Sequence, residues 1–173
     1  RRGVRALARG DPATGERGID VVTPTTITLG ADVRSTEDLR TPITDRLEGA
    51  TFVLSVGTVE PRKNHTTLLD AFDLLRAEHP DVHLVLVGRP GWTNDKIIRR
   101  IERHDAAGER LHWLRDADDD VLTNLYLSAA VVAVPSITEG FGLPVIEALS
   151  LGAPVVSSDG GALPEAGGEL VDL

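Results

Sequence analysis

From Thr51 onward the chain alternates two rhythms of apolar and polar positions. TFVLSVG, VHLVLVG and VVAVP are unbroken apolar runs, each closed by glycine or proline. Such runs predict short strands buried on both faces. LHWL and APVVSS predict two more, and GELVDL the start of a last one. Between the runs lie stretches of roughly 10–15 residues with helical spacing. NHTTLLDAFDLLRAEHP sets Leu68, Phe72 and Leu75 on one face, with Asn64 as the expected N-cap. TNDKIIRRIERHDAAG predicts a second helix, capped by Thr93 or Asn94 and ending near Gly108. DADDDVLTNLYLSAA predicts a third, and TEGFGLPVIEA leads into a fourth.

Strands alternating with helices predict a parallel sheet of right-handed βαβ units, in a Rossmann-like three-layer α/β domain. Sheets of this kind bind ligands at the carboxyl ends of their strands. Residues 1–50 lack the rhythm. They hold Pro12, Pro24 and Pro42 as breakers, with two short β-like runs in IDVVTPTTITLGADV. The expected organisation is a linker or edge segment over residues 1–50, followed by one domain over residues 51–173. A start so loosely patterned suggests a segment of a longer chain.

Composition narrows the function. The 173 residues are 41% hydrophobic but only 3% aromatic, so Val, Leu, Ile and Ala must fill the core. A formal net charge of -9 argues against non-specific binding to nucleic acid or anionic membranes, which needs a basic surface. An anionic ligand would therefore need a local basic spot. The chain has no cysteine, which removes disulfides, thiolate metal sites and cysteine nucleophiles. The longest apolar run, Ala129–Val134, is too short to span a bilayer. A cytoplasmic protein is expected, and any peripheral membrane contact would have to come from elsewhere.

Three strands close at Gly57, Gly88 and Pro135, so the loops after them should converge on one edge. The first loop, TVEPRKN, places Arg62 and Lys63 before a helix, which suits an anion. The third, SITEGFGLPVIEA, carries more. Gly140 and Gly142 let the backbone approach a ligand, and Pro144 suits a first helical turn. The amides of Phe141, Gly142 and Leu143 are then expected as unpaired donors at the helix start. Glu147 lies about one turn in, and its side chain leans back toward that mouth. Glu139 stands on the loop in front. Ionised carboxylates only accept hydrogen bonds and repel phosphate, so their natural partners are hydroxyls. The site sorts itself: hydroxyls to the two glutamates, phosphate to the amides, Arg62 and Lys63. A sugar, a diphosphate and a ribose fit that layout.

VGTVEPRKNHTTLLDAF, LVLVGRPGW and PSITEGFGLPVIEALSLGAPVVSSDGGALPE strongly resemble family 4 retaining glycosyltransferases of the GT-B fold. The resemblance runs from about Thr51 to the end, and the spacing of Glu139 and Glu147 is specific in that context. It implies a Rossmann-like sheet forming one half of a GT-B enzyme that transfers a hexose from a nucleotide sugar. By resemblance, Glu139 contacts the donor sugar hydroxyls and Glu147 the ribose. Arg62 and Lys63 contact the diphosphate, and the backbone of Gly140, Phe141, Gly142 and Leu143 touches sugar and phosphate, with Gly57 at the end of the first strand. EPRKN and GRPGW look most like the mannosyltransferase branch, which implies GDP-mannose or a UDP-sugar as donor, with no further cofactor and no metal. Two departures stand out: Thr58 where many relatives have arginine, and Leu149 where methionine is usual. The resemblance also implies an N-terminal acceptor domain that this chain lacks, so the chain alone is expected to be inactive in transfer.

Weaker signals carry less. Asp116 and Asp118 have a spacing used for metal–nucleotide binding in an unrelated fold, but before a helix they read as capping acids. Pro80 rules out a helical metal pair of His79 and His83. His65 is expected to be solvent-exposed at a helix start. Trp92 could stack on a nucleotide or pack over the sheet edge. Two other readings remain: a nucleotide-sugar epimerase-like domain, and a non-catalytic nucleotide-binding α/β module.

Overall fold

The structure is a computed structural model and describes residues 41–92 and 95–172. The runs before residue 41 and the caps expected at Thr93 or Asn94 lie outside the described residues. The described residues form five strands: β1 Phe52–Val56, β2 His83–Val87, β3 Leu111–Leu114, β4 Val131–Val134 and β5 Val155–Ser157. Among the described residues six α-helices accompany them: α1 Pro42–Arg46, α2 His65–Glu78, α3 Asp95–Glu102, α4 Asp119–Ser128, α5 Leu143–Ser150 and α6 Leu163–Gly167. All strand pairs are parallel, in the order β3-β2-β1-β4-β5. Parallel neighbours need a crossover, and each apolar run is followed by a helical stretch that supplies one.

Strand alternation builds two cores. Phe52 and Leu54, with Val85 and Val132 beside them, face one way and meet Leu125 of α4 and Val145 of α5. Leu84, Leu86 and Ala133 face the other way and meet Leu69 and Phe72 of α2 and Ile101 of α3. The expected three layers are therefore present. Leu54, Leu69, Leu84 and Val145 are each 0% exposed, and full burial of such a side chain stabilises the fold by roughly 1.5–3 kcal/mol.

Some boundaries differ from expectation. The second helix stops at Glu102 instead of near Gly108. There the His104 ring accepts the Ala106 amide at 3.2 Å, a local bond that competes with helix continuation. GELVDL contributes a 3-10 turn and one bridge, Asp172 to Val156, instead of a strand. The two short helices α1 and α6 were not foreseen, because five residues are too few to show a period. In α1 a capping box of Thr41 and Thr44 with Pro42 compensates, and Ile43, Leu47 and Ala50 pack against the core beneath α4.

Two strand-end glycines touch. A Cβ on Gly88, whose φ is +152°, would stand 2.0 Å from the Gly57 carbonyl oxygen. Gly140 differs: a Cβ there would meet nothing within 4 Å. Gly88→Ala is expected to lower stability by about 2–4 kcal/mol, from backbone strain plus overlap. Gly140→Ala should change the urea midpoint by less than about 0.5 kcal/mol in equivalent energy. Urea denaturation of both variants checks the contrast.

Candidate functional site

β1 is central, with β2 on one side and β4 on the other. The chain order reverses there, and the loops leaving the carboxyl ends of β1 and β4 open a crevice. The loop after β1 makes a 3-10 turn at Pro61–Lys63 that carries both cations. The loop after β4 carries Glu139. Main chains tie the two together, since the Ile137 amide donates to the Arg62 carbonyl at 2.7 Å.

Side chains complete the junction. Arg62 Nη1 donates to Glu139 Oε2 at 2.8 Å, and Lys63 Nζ donates to Oε1. Ser136 Oγ donates to the same Oε1 at 2.8 Å. Arg62 Nε also lies 2.5 Å from Glu60 Oε1, without the alignment of a hydrogen bond. Glu139 is 9% exposed. Burial opposes its charge, but the hydrogen bonds of Lys63 and Ser136 and the Lys63 charge outweigh it. Its carboxyl is thus held below the ordinary range and stays ionised at neutral pH. The Lys63 side chain is 11% exposed and that of Arg62 42%. The Lys63 contact is therefore the stronger of the two, because water screens Arg62. The layout expected from sequence separated the acid from the cations, whereas the structure brings all three into one cluster.

A third loop holds the cluster from behind. The Glu139 carbonyl accepts the Ala162 amide at 2.9 Å. A Cβ on Gly160 would lie 2.3 Å from the Ile137 carbonyl oxygen, and one on Gly161 2.4 Å from that of Glu139. Ser158 Oγ donates to the Ser136 carbonyl. Sequence reasoning gave Ser136, Ser158, Gly160 and Gly161 no role, although the paired glycine of SSDGG was a signal of close backbone approach.

The helix expected after EGFG is α5, with Gly142 as N-cap at φ +75° and Pro144 in its first turn. No hydrogen bond among the described residues engages the amides of Phe141, Gly142 or Leu143. Phe141 and Leu143 are exposed, as is Ile137. Glu147, half-buried, accepts a hydrogen bond at Oε2 from the Tyr126 hydroxyl at 2.8 Å. Tyr126 was also missed. Its signal was a lone tyrosine in a helix stripe, since a buried phenol needs a partner.

Other expectations fare variously. Asn64 precedes α2, but in the left-handed region at φ 56°, and its side chain makes no cap bond. Its Oδ1 accepts from Thr67 Oγ1 instead. The 3-10 turn forces this exit, which asparagine tolerates. His65, expected to be exposed, is 4% exposed, and its Nδ1 has no partner. Asp118 caps α4 by accepting the Val121 amide, and Asp116 pairs with Arg89 at 2.9 Å. His83 lies part-buried against His112, rings stacked and nitrogens 3.0 Å apart. Trp92 stands 65% exposed. Among the described residues Asp73, His104 and Asp105 place three ligand atoms within 4.8 Å of one another, but Arg76 occupies both acids.

A doubly wound sheet with an acid–cation cluster at its switch point defines a Rossmann-like domain, and its fold is that of one half of a GT-B enzyme. The trehalose-phosphate synthase (UDP-forming) of Burkholderia vietnamiensis has this fold, with a TM-score of 0.64 at 20% identity over 80% of this chain and 36% of that one. A family model described as glycosyl transferases group 1 matches residues 40–171, and the chain belongs to that family. It is 36% identical over 141 residues to the serotype-specific mannosyltransferase WbdA of Escherichia coli, covering 76% of this chain and 17% of that protein. With the O-antigen chain mannosyltransferase B of Escherichia coli it shares 42% over 125 residues, 68% of this chain and 31% of the relative. The chain thus spans from under a fifth to under a third of these relatives' lengths. No helix among the described residues is long and apolar enough to cross a membrane.

Burial first, then the Lys63 charge, lowers His65 to about 4. Its unfolded value is near 6.5. The folded chain therefore favours the neutral ring. This contribution is complete above about pH 6.5 and is lost progressively as pH falls toward about 4, a difference of about 3 kcal/mol. His65→Leu is expected to flatten the dependence of the urea midpoint on pH across that window.

Proposed function

We propose that the chain is the donor-binding part of a retaining hexosyltransferase that takes its sugar from a nucleoside-diphosphate donor. The observation that carries this reading is the cluster of Glu139, Arg62 and Lys63 at the switch point, beside the free amides at the start of α5. Residues 51–173 form the donor domain in this reading, with residues 1–50 leading into it. Mannose as the hexose, with GDP-mannose as the donor, draws its support from the mannosyltransferases among the relatives.

The chemistry follows from the charges. As the glycosidic bond to phosphate breaks, negative charge grows on the leaving diphosphate. Arg62, Lys63 and the amides of Phe141, Gly142 and Leu143 stabilise it as donors already in place where the charge develops. Glu139 accepts from hydroxyls of the sugar and Glu147 from those of the ribose. Because Glu139 shares its cations, a diphosphate competes with a carboxylate already seated on them. The epimerase alternative has no support from the matches, which are to transferases.

A thermal-shift and titration screen of GDP, UDP and ADP, each with its sugar conjugate, tests the reading; failure of all to bind overturns it. Arg62→Ala/Lys63→Ala should weaken nucleoside diphosphate binding by about 1.5–5 kcal/mol and leave the bare nucleoside unaffected. Circular dichroism must accompany this test, because the change strands the buried Glu139 carboxylate. Glu147→Ala should weaken the nucleotide and the nucleotide sugar alike, by about 1.5–3 kcal/mol. Glu139→Ala should weaken the nucleotide sugar far more than the nucleotide. Equal losses for both ligands in both variants would contradict the division of labour.

A further inference from the structure

Tyr126 is the single tyrosine of the chain. It stands on α4 with 2% of its surface exposed. Its hydroxyl donates to Glu147 Oε2 at 2.8 Å, across the gap between α4 and α5. Both helices pack on the same face of the sheet, so core packing fixes where that donor sits. Burial first, then the Glu147 charge, pushes the phenol far above its ordinary value, so it remains a donor throughout the physiological range.

The glutamate needs such a partner. Its side chain has three rotatable bonds, and a carboxylate free on a helix surface spreads over several rotamers. A donor held rigidly by the core selects one of them. No other hydrogen bond among the described residues engages the carboxylate. Oε1 and the second lone pair of Oε2 therefore stay open as acceptors. An acceptor fixed on one side and open on the other suits a pair of neighbouring hydroxyls.

We propose that Tyr126 is a positioning residue, holding the Glu147 carboxylate in the one rotamer that accepts ribose hydroxyls and so setting the preference for ribonucleotides over deoxyribonucleotides. This rests on the assignment of Glu147 to the ribose made above. A tyrosine that merely fills the core would affect stability and leave that preference alone.

The experiment measures dissociation constants of GDP, UDP and ADP and of their 2′-deoxy counterparts, using the 173-residue chain. The parent is expected to prefer the ribonucleotide by about tenfold or more, the usual weight of a hydrogen bond to a charged group. Glu147→Gln should reduce the preference to about twofold, defining its floor. Tyr126→Phe keeps the ring in the core and should fall close to that floor, with circular dichroism like the parent's. Retention of the full preference by Tyr126→Phe overturns this inference and leaves the donor-binding reading intact. A parent without ribose preference overturns the Glu147 assignment and this inference with it. Failure of every nucleotide to bind overturns the donor-binding reading itself.

A second measurement needs no variant. Because there is one tyrosine, 3-fluorotyrosine labels position 126 alone. Its fluorine resonance should move on adding the ribonucleotide and much less with the 2′-deoxy form. Equal movement with both overturns the inference even if Tyr126→Phe does not fold.

Discussion

A carboxylate buried between two strand-end loops governs this structure. Glu139 is 9% exposed, and an ionised group so placed survives only if donors replace its water. Lys63, Arg62 and Ser136 are those donors. Two come from the β1 loop and one from the β4 loop, so satisfying one side chain closes these two loops against each other. The backbone bond from Ile137 to Arg62 holds the same closure without side chains. Gly160 and Gly161 follow from it, since any Cβ there would collide with carbonyls of the Glu139 loop.

The same closure sets the electrostatics. The chain carries a formal charge of -9, yet at the switch point two cations converge on one acid. With Glu60 beside Arg62 as the second acid, the cluster is formally balanced, in contrast to the acidic chain around it. An anion arriving there meets donors already held in place by the fold. They are also already engaged, so affinity reflects a difference between two ionic partners. A neutral His65 behind Lys63 fits this economy of charge, because a third cation in that pocket would be repelled and poorly solvated.

Glu147 illustrates a second arrangement of an acid. It is less buried than Glu139 and has one neutral donor in place of two cations. Its charge is therefore less compensated, and its orientation is set by a tyrosine rooted in the core. Two carboxylates eight positions apart thus receive different environments from the same helix entry. One is locked into an ionic network across the crevice, and the other is steadied from the core and open on one side.

Much of the fold was legible in the sequence because strands buried on both faces must be apolar throughout, while surface helices must be apolar on one side. The runs ending at Gly57, Gly88 and Pro135 therefore announced β1, β2 and β4, and the Leu68–Phe72 stripe announced α2. Short elements escaped because α1 and α6 are below the length at which a period shows. The spacing of Arg62, Lys63, Glu139 and Glu147 was visible, since those loops follow strands that end on one edge. What the sequence could not state was which charges would meet. Ser158, Gly160, Gly161 and Tyr126 stand in other segments, and their contacts with the site depend on strand order and on the distance between packed helices, whereas Ser136 shares the loop of Glu139 and only the turn of that loop brings its hydroxyl to the carboxylate. His65 was misjudged for the same reason: one position in a helix gives its place along the axis, but only the packing of α2 against the sheet decides that its ring is buried.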